Sequence, residues 1–190
     1  MWANNETGHL HPVSEIAKIA EEAGIIFCTD AVQAAGKIPI HTQGIHLMAI
    51  SAHKIYGPKG VGALYIRHNH ALPKPLPIIL GGGHEKGFRS GTLNVPGIVG
   101  IGKAAEIRLR EMAKEGERLR VLRDKLEIEL LKIPGTHLNG SRENRLPHVS
   151  NIAFEGVEGE ELLKQLNRKI AVSSGSACTD RKSTRLNSSH

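Results

Sequence analysis

His46-Leu47-Met48-Ala49-Ile50 runs straight into Ser51-Ala52-His53-Lys54. A short, mostly apolar run that gives way at once to small and polar residues reads as a buried strand delivering a lysine just past its end. Two neighbouring stretches repeat the form. Ile25-Ile26-Phe27-Cys28 ends at Thr29-Asp30, and Val61-Gly62-Ala63-Leu64-Tyr65-Ile66 follows the loop Gly57-Pro58-Lys59-Gly60. Before them, residues 12–23 carry Val13, Ile16, Ile19 and Ala20 at helical spacing, with Ser14 as N-cap and Gly24 as stop. Short buried strands alternating with helices predict an α/β fold built on a mainly parallel sheet with both faces covered. In such sheets the working residues gather beyond the strand ends, where Asp30 and Lys54 fall.

Downstream, residues 72–92 are loop-like, with prolines and Gly81-Gly82-Gly83. One long helical pattern fills 96–132, carrying Ile101, Ala105, Leu109, Met112, Leu119, Leu122, Leu126 and Leu130 among many charges. A helix of that length often bridges two domains. A smaller α/β unit follows, with a strand at 150–154, a helix at 159–167 and a strand at 170–172.

Composition narrows the function classes. Of 190 residues, 39% are hydrophobic and 23% charged, as in ordinary globular proteins. No apolar run approaches the roughly 20 residues of a membrane span. Met1-Trp2-Ala3-Asn4-Asn5-Glu6 lacks the basic and apolar regions of a signal peptide. Two cysteines, Cys28 and Cys178, form no disulfide framework, so a reducing cytoplasm is expected. The net charge of +6 is interspersed with acids and aromatics are 3%. That reads as a solvated basic surface rather than a nucleic-acid platform. The tail Asp180-Arg181-Lys182-Ser183-Thr184-Arg185-Leu186-Asn187-Ser188-Ser189-His190 has no apolar periodicity. It reads as the in-frame translation of a common sequencing-library adapter, so the natural sequence is expected to stop near Thr179.

Few residues carry chemistry. Lys54, past a strand and before a glycine-rich turn, is placed to be partly desolvated and to form a Schiff base; a surface lysine at a strand end fits the same spacing. Asp30 either caps a helix or neutralises a cation such as a pyridinium nitrogen, with Gln33 three residues on. Cys178, in Ser173-Ser174-Gly175-Ser176-Ala177-Cys178, is a nucleophile candidate on a small-residue loop or an unreactive surface thiol. Cys28, in an apolar strand, reads as a small buried hydrophobe. His68-Asn69-His70 has no companion cluster and reads as solvated rather than metal-binding.

Five segments together resemble the NifS/IscS-type cysteine desulfurases, within the class V aminotransferase group of fold-type I pyridoxal 5'-phosphate (PLP) enzymes. They are Asn4-Asn5-Glu6-Thr7-Gly8, Thr29-Asp30-Ala31-Val32-Gln33, Ser51 to Gly60, Gly81 to Thr92, and Ser173 to Thr179. The cysteine segment is similar to the Ser-Ser-Gly-Ser-Ala-Cys-Thr group, not to the SufS-like group. The resemblance implies that Lys54 is the Schiff-base lysine and that Asp30 pairs with the pyridine nitrogen. It implies that Gln33 bonds the ring hydroxyl oxygen, that Ser51 and His53 bind the phosphate, and that Asn5 helps hold the substrate carboxylate. Thr92 would reach the phosphate of the other subunit's PLP, implying a homodimer. Cys178 would take sulfur from L-cysteine, leaving alanine and a persulfide for an acceptor such as an iron–sulfur scaffold, in cluster assembly or tRNA thiolation.

By the same resemblance, residues 1–98 are the end of the large PLP-binding domain, 99–132 a connecting helix, 133–179 part of the small domain, and 180–190 the adapter tail. The family's N-terminal part, with a phosphate-binding loop and a stacking histidine, and its C-terminal part, with a carboxylate-binding arginine, are then absent. The isolated chain is expected to be inactive and to fold poorly. Cys28 stands where the family often has histidine, and the stretch from Gln33 to Ser51 is slightly short. A selenocysteine lyase or a non-catalytic partner-binding fragment are the other readings; the cysteine segment argues against the first, and Lys54, Asp30 and His53 together against the second.

Overall fold

The computed structural model describes residues 1–68 and 75–174. They divide into two compact units, one within Met1–Ala3 and Leu10–Glu117, the other of Asn4–His9 and the described residues from Arg118 onward.

The first unit opens with helix α1, Val13–Glu22. Its buried stripe is Val13, Ala17 and Ala20, spaced four and three residues apart as one helical face requires. Ile16 and Ile19, expected on that stripe, are exposed. The helix starts after Pro12 without a side-chain cap, and Ser14 instead bonds His41, Oγ to Nε2 at 2.9 Å. Gly24 ends it in the left-handed conformation, φ +66°, which a glycine adopts without steric cost.

Strands β1 (Cys28–Asp30) and β2 (Leu47–Ser51) are parallel, and β3 (Gly62–Ile66) runs antiparallel to β2, in the order β1-β2-β3. Asp30 stands opposite Ala49, and Ser51 opposite Gly62. The core beneath them is built from Trp2, Ala31, Ala34, Ile45, Met48 and Ile55. Burying each of the larger side chains stabilises the unit by roughly 1.5–3 kcal/mol.

Cys28 corrects an expectation: it is exposed. Only Thr29 of β1 points into the core, because successive strand residues face opposite sides. Cys28 and Asp30 share the other face, and both are exposed. Ile25 and Ile26 precede the strand as irregular, exposed chain.

Helix α2, Val95–Leu130, is 36 residues long, about 54 Å at 1.5 Å per residue. The division between the units falls within it. Leu109, Leu122 and Leu126 are exposed, whereas Ala104, Arg108 and Glu127 are buried.

In the second unit, β4 (Thr136–Leu138) pairs antiparallel with β5 (Ile152–Phe154), and α3 covers Gly159–Leu166. The strand expected at 170–172 is instead irregular and exposed. A strand needs a hydrogen-bonding neighbour, and the described sheet here has two strands only. Leu146 is fully buried, and Arg145 meets Glu127 in a buried bidentate pair at 2.6 and 2.5 Å. Burial pushes the Glu127 carboxyl up, but Arg145, Ser150 and the Arg123 charge together outweigh it, and the net shift is downward. The segment Asn4–His9 belongs to this unit: the Leu146 N–H donates to the Gly8 carbonyl at 2.8 Å, and a Cβ on Gly8 would lie 2.8 Å from Val149 Cβ.

Candidate active site

The end of β1 and the end of β2 set the geometry. The Ala31 N–H donates to the Ala49 carbonyl at 2.9 Å, one residue past the last β1 position. Parallel strands bring their C-terminal ends to one sheet edge. Asp30 and the Ser51–Lys54 stretch therefore leave the sheet together.

Asp30 is exposed, on the face opposite buried Thr29. Its Oδ1 accepts the Val32 N–H at 2.8 Å, an Asx turn that stiffens the chain beyond the strand. Among the described residues Oδ2 has no hydrogen-bond partner. One oxygen therefore caps the turn and the other is uncommitted. The turn closes through the Ala31 carbonyl, which accepts from Ala34 and Ala35 at 3.0 and 2.8 Å. Small side chains at 31 and 34 permit this, since both are wholly buried. Gln33, on this turn, is half-buried.

Beyond β2 the chain makes a single tight turn, Ala52–Ile55, with Ala52 and Ile55 buried. The two anchors leave His53 and Lys54 facing outward, both exposed. Ser51 Oγ lies 2.8 Å from His53 Nδ1, fixing the ring. Lys54, expected to be partly desolvated, is exposed and makes no hydrogen bond or ion pair among the described residues. The turn ends at Tyr56 in the left-handed region, φ +66°.

Thr92 is exposed in the same unit. Asn5 is exposed on the Asn4–His9 segment of the second unit, where Asn4 Oδ1 accepts the Glu6 and Thr7 N–H groups at 2.9 Å each. Cys178, Asn69 and His70 lie outside the described residues. Among the described residues no group of three His, Cys, Asp or Glu side chains is arranged to hold a metal ion, and no helix is long and apolar enough to cross a membrane.

Two residues that the sequence does not single out border the site. Lys37 Nζ lies 4.5 Å from the centre of the Tyr56 ring and the Arg108 guanidinium carbon 5.5 Å from it. Burial, and then the nearby Arg108 charge, hold the Lys37 amine below its ordinary range.

The aminotransferase class-V family profile matches residues 1–190. The chain belongs to that family. This class-V aminotransferase chain is 52% identical over 187 residues to the cysteine desulfurase IscS of Anaeromyxobacter dehalogenans. It is 51% identical over 183 residues to a cysteine desulfurase of Gluconacetobacter diazotrophicus. Each alignment takes in 94% of this chain and 45% of the relative, so the chain spans about half the length of the curated relatives it matches. Among solved structures, a NifS-like protein superposes with a TM-score of 0.83 at 39% identity, over 88% of this chain and 46% of that one.

The site's donor set suits the cofactor of this family. PLP presents an aldehyde, a pyridine nitrogen and a phosphate. The sheet edge presents an uncommitted amine at Lys54, a carboxylate oxygen at Asp30, and a hydroxyl and imidazole at Ser51 and His53. The residue types match the groups they would meet.

Proposed function

We propose that this chain is the cofactor-lysine and sulfur-acceptor portion of a PLP-dependent cysteine desulfurase. The observation that carries the reading is the shared exit of Asp30 and Lys54 from adjacent parallel strands, in a chain about half identical to proteins named cysteine desulfurase. Residues 1–98 are assigned to the large domain, 99–132 to the connecting helix and 133–179 to the small domain; 180–190 are assigned to the adapter-like tail.

PLP, when bound, supplies an electron sink for negative charge at the substrate Cα. Asp30 Oδ2 holds the pyridine nitrogen in its charged form, and Gln33 bonds the ring oxygen. Ser51 and His53 bind the phosphate, with Thr92 doing so for the partner subunit of a homodimer. Asn5 orients the carboxylate of L-cysteine. Lys54 anchors the cofactor and then moves the proton at Cα. The Cys178 thiolate forms a bond to the substrate sulfur as the carbon–sulfur bond breaks, and its proton is accounted for in alanine. L-cysteine and one enzyme thiol thus become L-alanine and one enzyme persulfide. A cytoplasmic acceptor such as an iron–sulfur scaffold, or the tRNA-thiolation route, then takes the sulfur.

The test is alanine release from L-cysteine, with PLP and a reductant, by the protein completed to the relatives' length. Cys178→Ala and Lys54→Ala should each abolish release, and only the Lys54 variant should lose the visible absorbance of bound PLP. Release that survives Cys178→Ala would overturn the assignment of that thiol, and no release with PLP bound would overturn the substrate.

A further inference from the structure

Arg108 is an unusual member of α2. Most charged residues of that helix face solvent, yet Arg108 is only 5% exposed. Its Nε donates to the Gly36 carbonyl at 2.8 Å, its guanidinium borders the Tyr56 ring at 5.5 Å, and its Nη1 pairs with Glu115. The acid neutralises a charge that would otherwise be buried alone.

Those contacts fall on two particular turns. Gly36 closes the turn that starts at Asp30 and carries Gln33. From Ala31 to Ile38 the backbone is linked by successive bonds, with Lys37 and Ile38 N–H groups donating to Ala34 at 3.0 and 3.1 Å. Tyr56 closes the turn that carries His53 and Lys54. The Gly57 N–H there returns to the Ala52 carbonyl at 2.9 Å, and Tyr56 holds a left-handed backbone, φ +66°, that a non-glycine residue adopts only under constraint.

The packing between the turns is tight. A Cβ on Gly36 would sit 2.8 Å from Ile55 Cγ2 and 3.2 Å from Arg108 Cβ and Cγ. One and two helical turns earlier, α2 presents small residues to the same segment: a Cβ on Gly57 would lie 3.3 Å from Ala104 Cβ, and one on Gly100 would lie 2.8 Å from Pro58 Cγ. Gly100 and Ala104 let the helix approach the Lys54 turn, and Arg108, four residues further, reaches across to the Asp30 turn.

We propose that Arg108 is a positioning residue that cross-ties the two cofactor-facing turns, holding the Asp30–Gly36 turn through the Gly36 carbonyl and the Ala52–Tyr56 turn through the Tyr56 ring. It sets the spacing at which the Asp30 carboxylate and the Lys54 amine meet one PLP molecule, and so it rests on the PLP reading above. Both contacts are to the protein itself, the Gly36 carbonyl and the Tyr56 ring. The fork and the planar face are both used, so lysine is not an equivalent substitute.

The test uses the completed holoprotein and the variants Arg108→Lys, Arg108→Met and Tyr56→Leu. PLP affinity is read by equilibrium dialysis, cofactor orientation by visible circular dichroism, and fold by the melting temperature of the PLP-free protein. Arg108→Lys and Arg108→Met should weaken PLP binding about tenfold and alter the visible dichroism. Tyr56→Leu, which keeps the Gly36 bond and changes an exposed side chain, should act in the same direction by less. It carries the test with Arg108→Lys if the methionine variant does not fold. Variants that bind PLP within twofold of the parent with unchanged dichroism, whatever their melting temperature, would overturn the role of Arg108 alone. A parent protein that takes up no PLP would overturn this role and the PLP reading together.

Discussion

Ser51 Oγ lies 2.8 Å from His53 Nδ1, and this bond leaves Nε2 as the outward nitrogen of an exposed ring. The two residues are separated by Ala52, which is wholly buried. The hydroxyl and imidazole are therefore held together on the outer side of the turn, where the proposed function has them meet the cofactor phosphate.

Removing the hydroxyl frees the ring. Ser51→Ala should weaken PLP binding about fivefold in the completed protein, from the loss of one hydrogen bond of about 1 kcal/mol. His53→Ala should weaken it further, and the double variant by less than the product of the two, because the groups act as a unit. Equilibrium dialysis decides it: strictly multiplicative losses would show that the 2.8 Å contact contributes nothing to the site.

Gly62 stands opposite Ser51 across the β2–β3 pair, and a Cβ there would come 2.6 Å from the Ile50 carbonyl oxygen. That atom is backbone of the neighbouring strand, so the strands must part rather than a side chain swing away. Gly62→Ala should cost about 1–3 kcal/mol, seen as a lower urea midpoint. It should also weaken PLP binding, since β2 delivers Ser51 and Lys54. An unchanged midpoint would mean the two strands separate without cost.

The strand that leads to Lys54 was legible within one residue at each end, because a short apolar run followed by small and polar residues leaves few alternatives to a strand and its exit; the strand before Asp30 was placed too early, at 25–28 rather than Cys28–Asp30. The long helix was equally plain, within two residues at each end. Burial was less so. Cys28 and the apolar run before it read as core, but exposure depends on what packs over that face of β1, which local sequence does not record. Ile170 to Val172 misled as well, being apolar with no strand beside them among the described residues. Asp30 left capping and ligand binding open, and the structure shows why: one oxygen serves the turn and the other is uncommitted. Arg108 gave no signal at all. In a helix rich in arginine and glutamate its burial follows from Gly100 and Ala104 bringing the backbone close to Gly57 and Pro58, a fact of packing at long sequence separation.

In the second unit the Arg145–Glu127 pair makes a pH-dependent stability. Both side chains are buried and bonded twice, and Arg145, with Ser150 and Arg123, outweighs burial to hold the Glu127 carboxyl below its ordinary range. A depressed carboxyl contributes stability in full above its unfolded value, near 4.3, and loses it as pH falls through the lower folded value. Glu127→Gln leaves the buried Arg145 with only the Asp124 carboxylate, 4.0 Å away, so at pH 7 it should destabilise the completed protein by about 3 kcal/mol. As pH drops below about 4 the parent loses its own contribution, and the gap between the two proteins should narrow. Urea unfolding of both proteins across pH 3 to 7 is the measurement. A gap that stays constant through the acid range would show that Glu127 titrates alike in the folded and unfolded chains, and that the pair holds the unit together without a net ionic contribution.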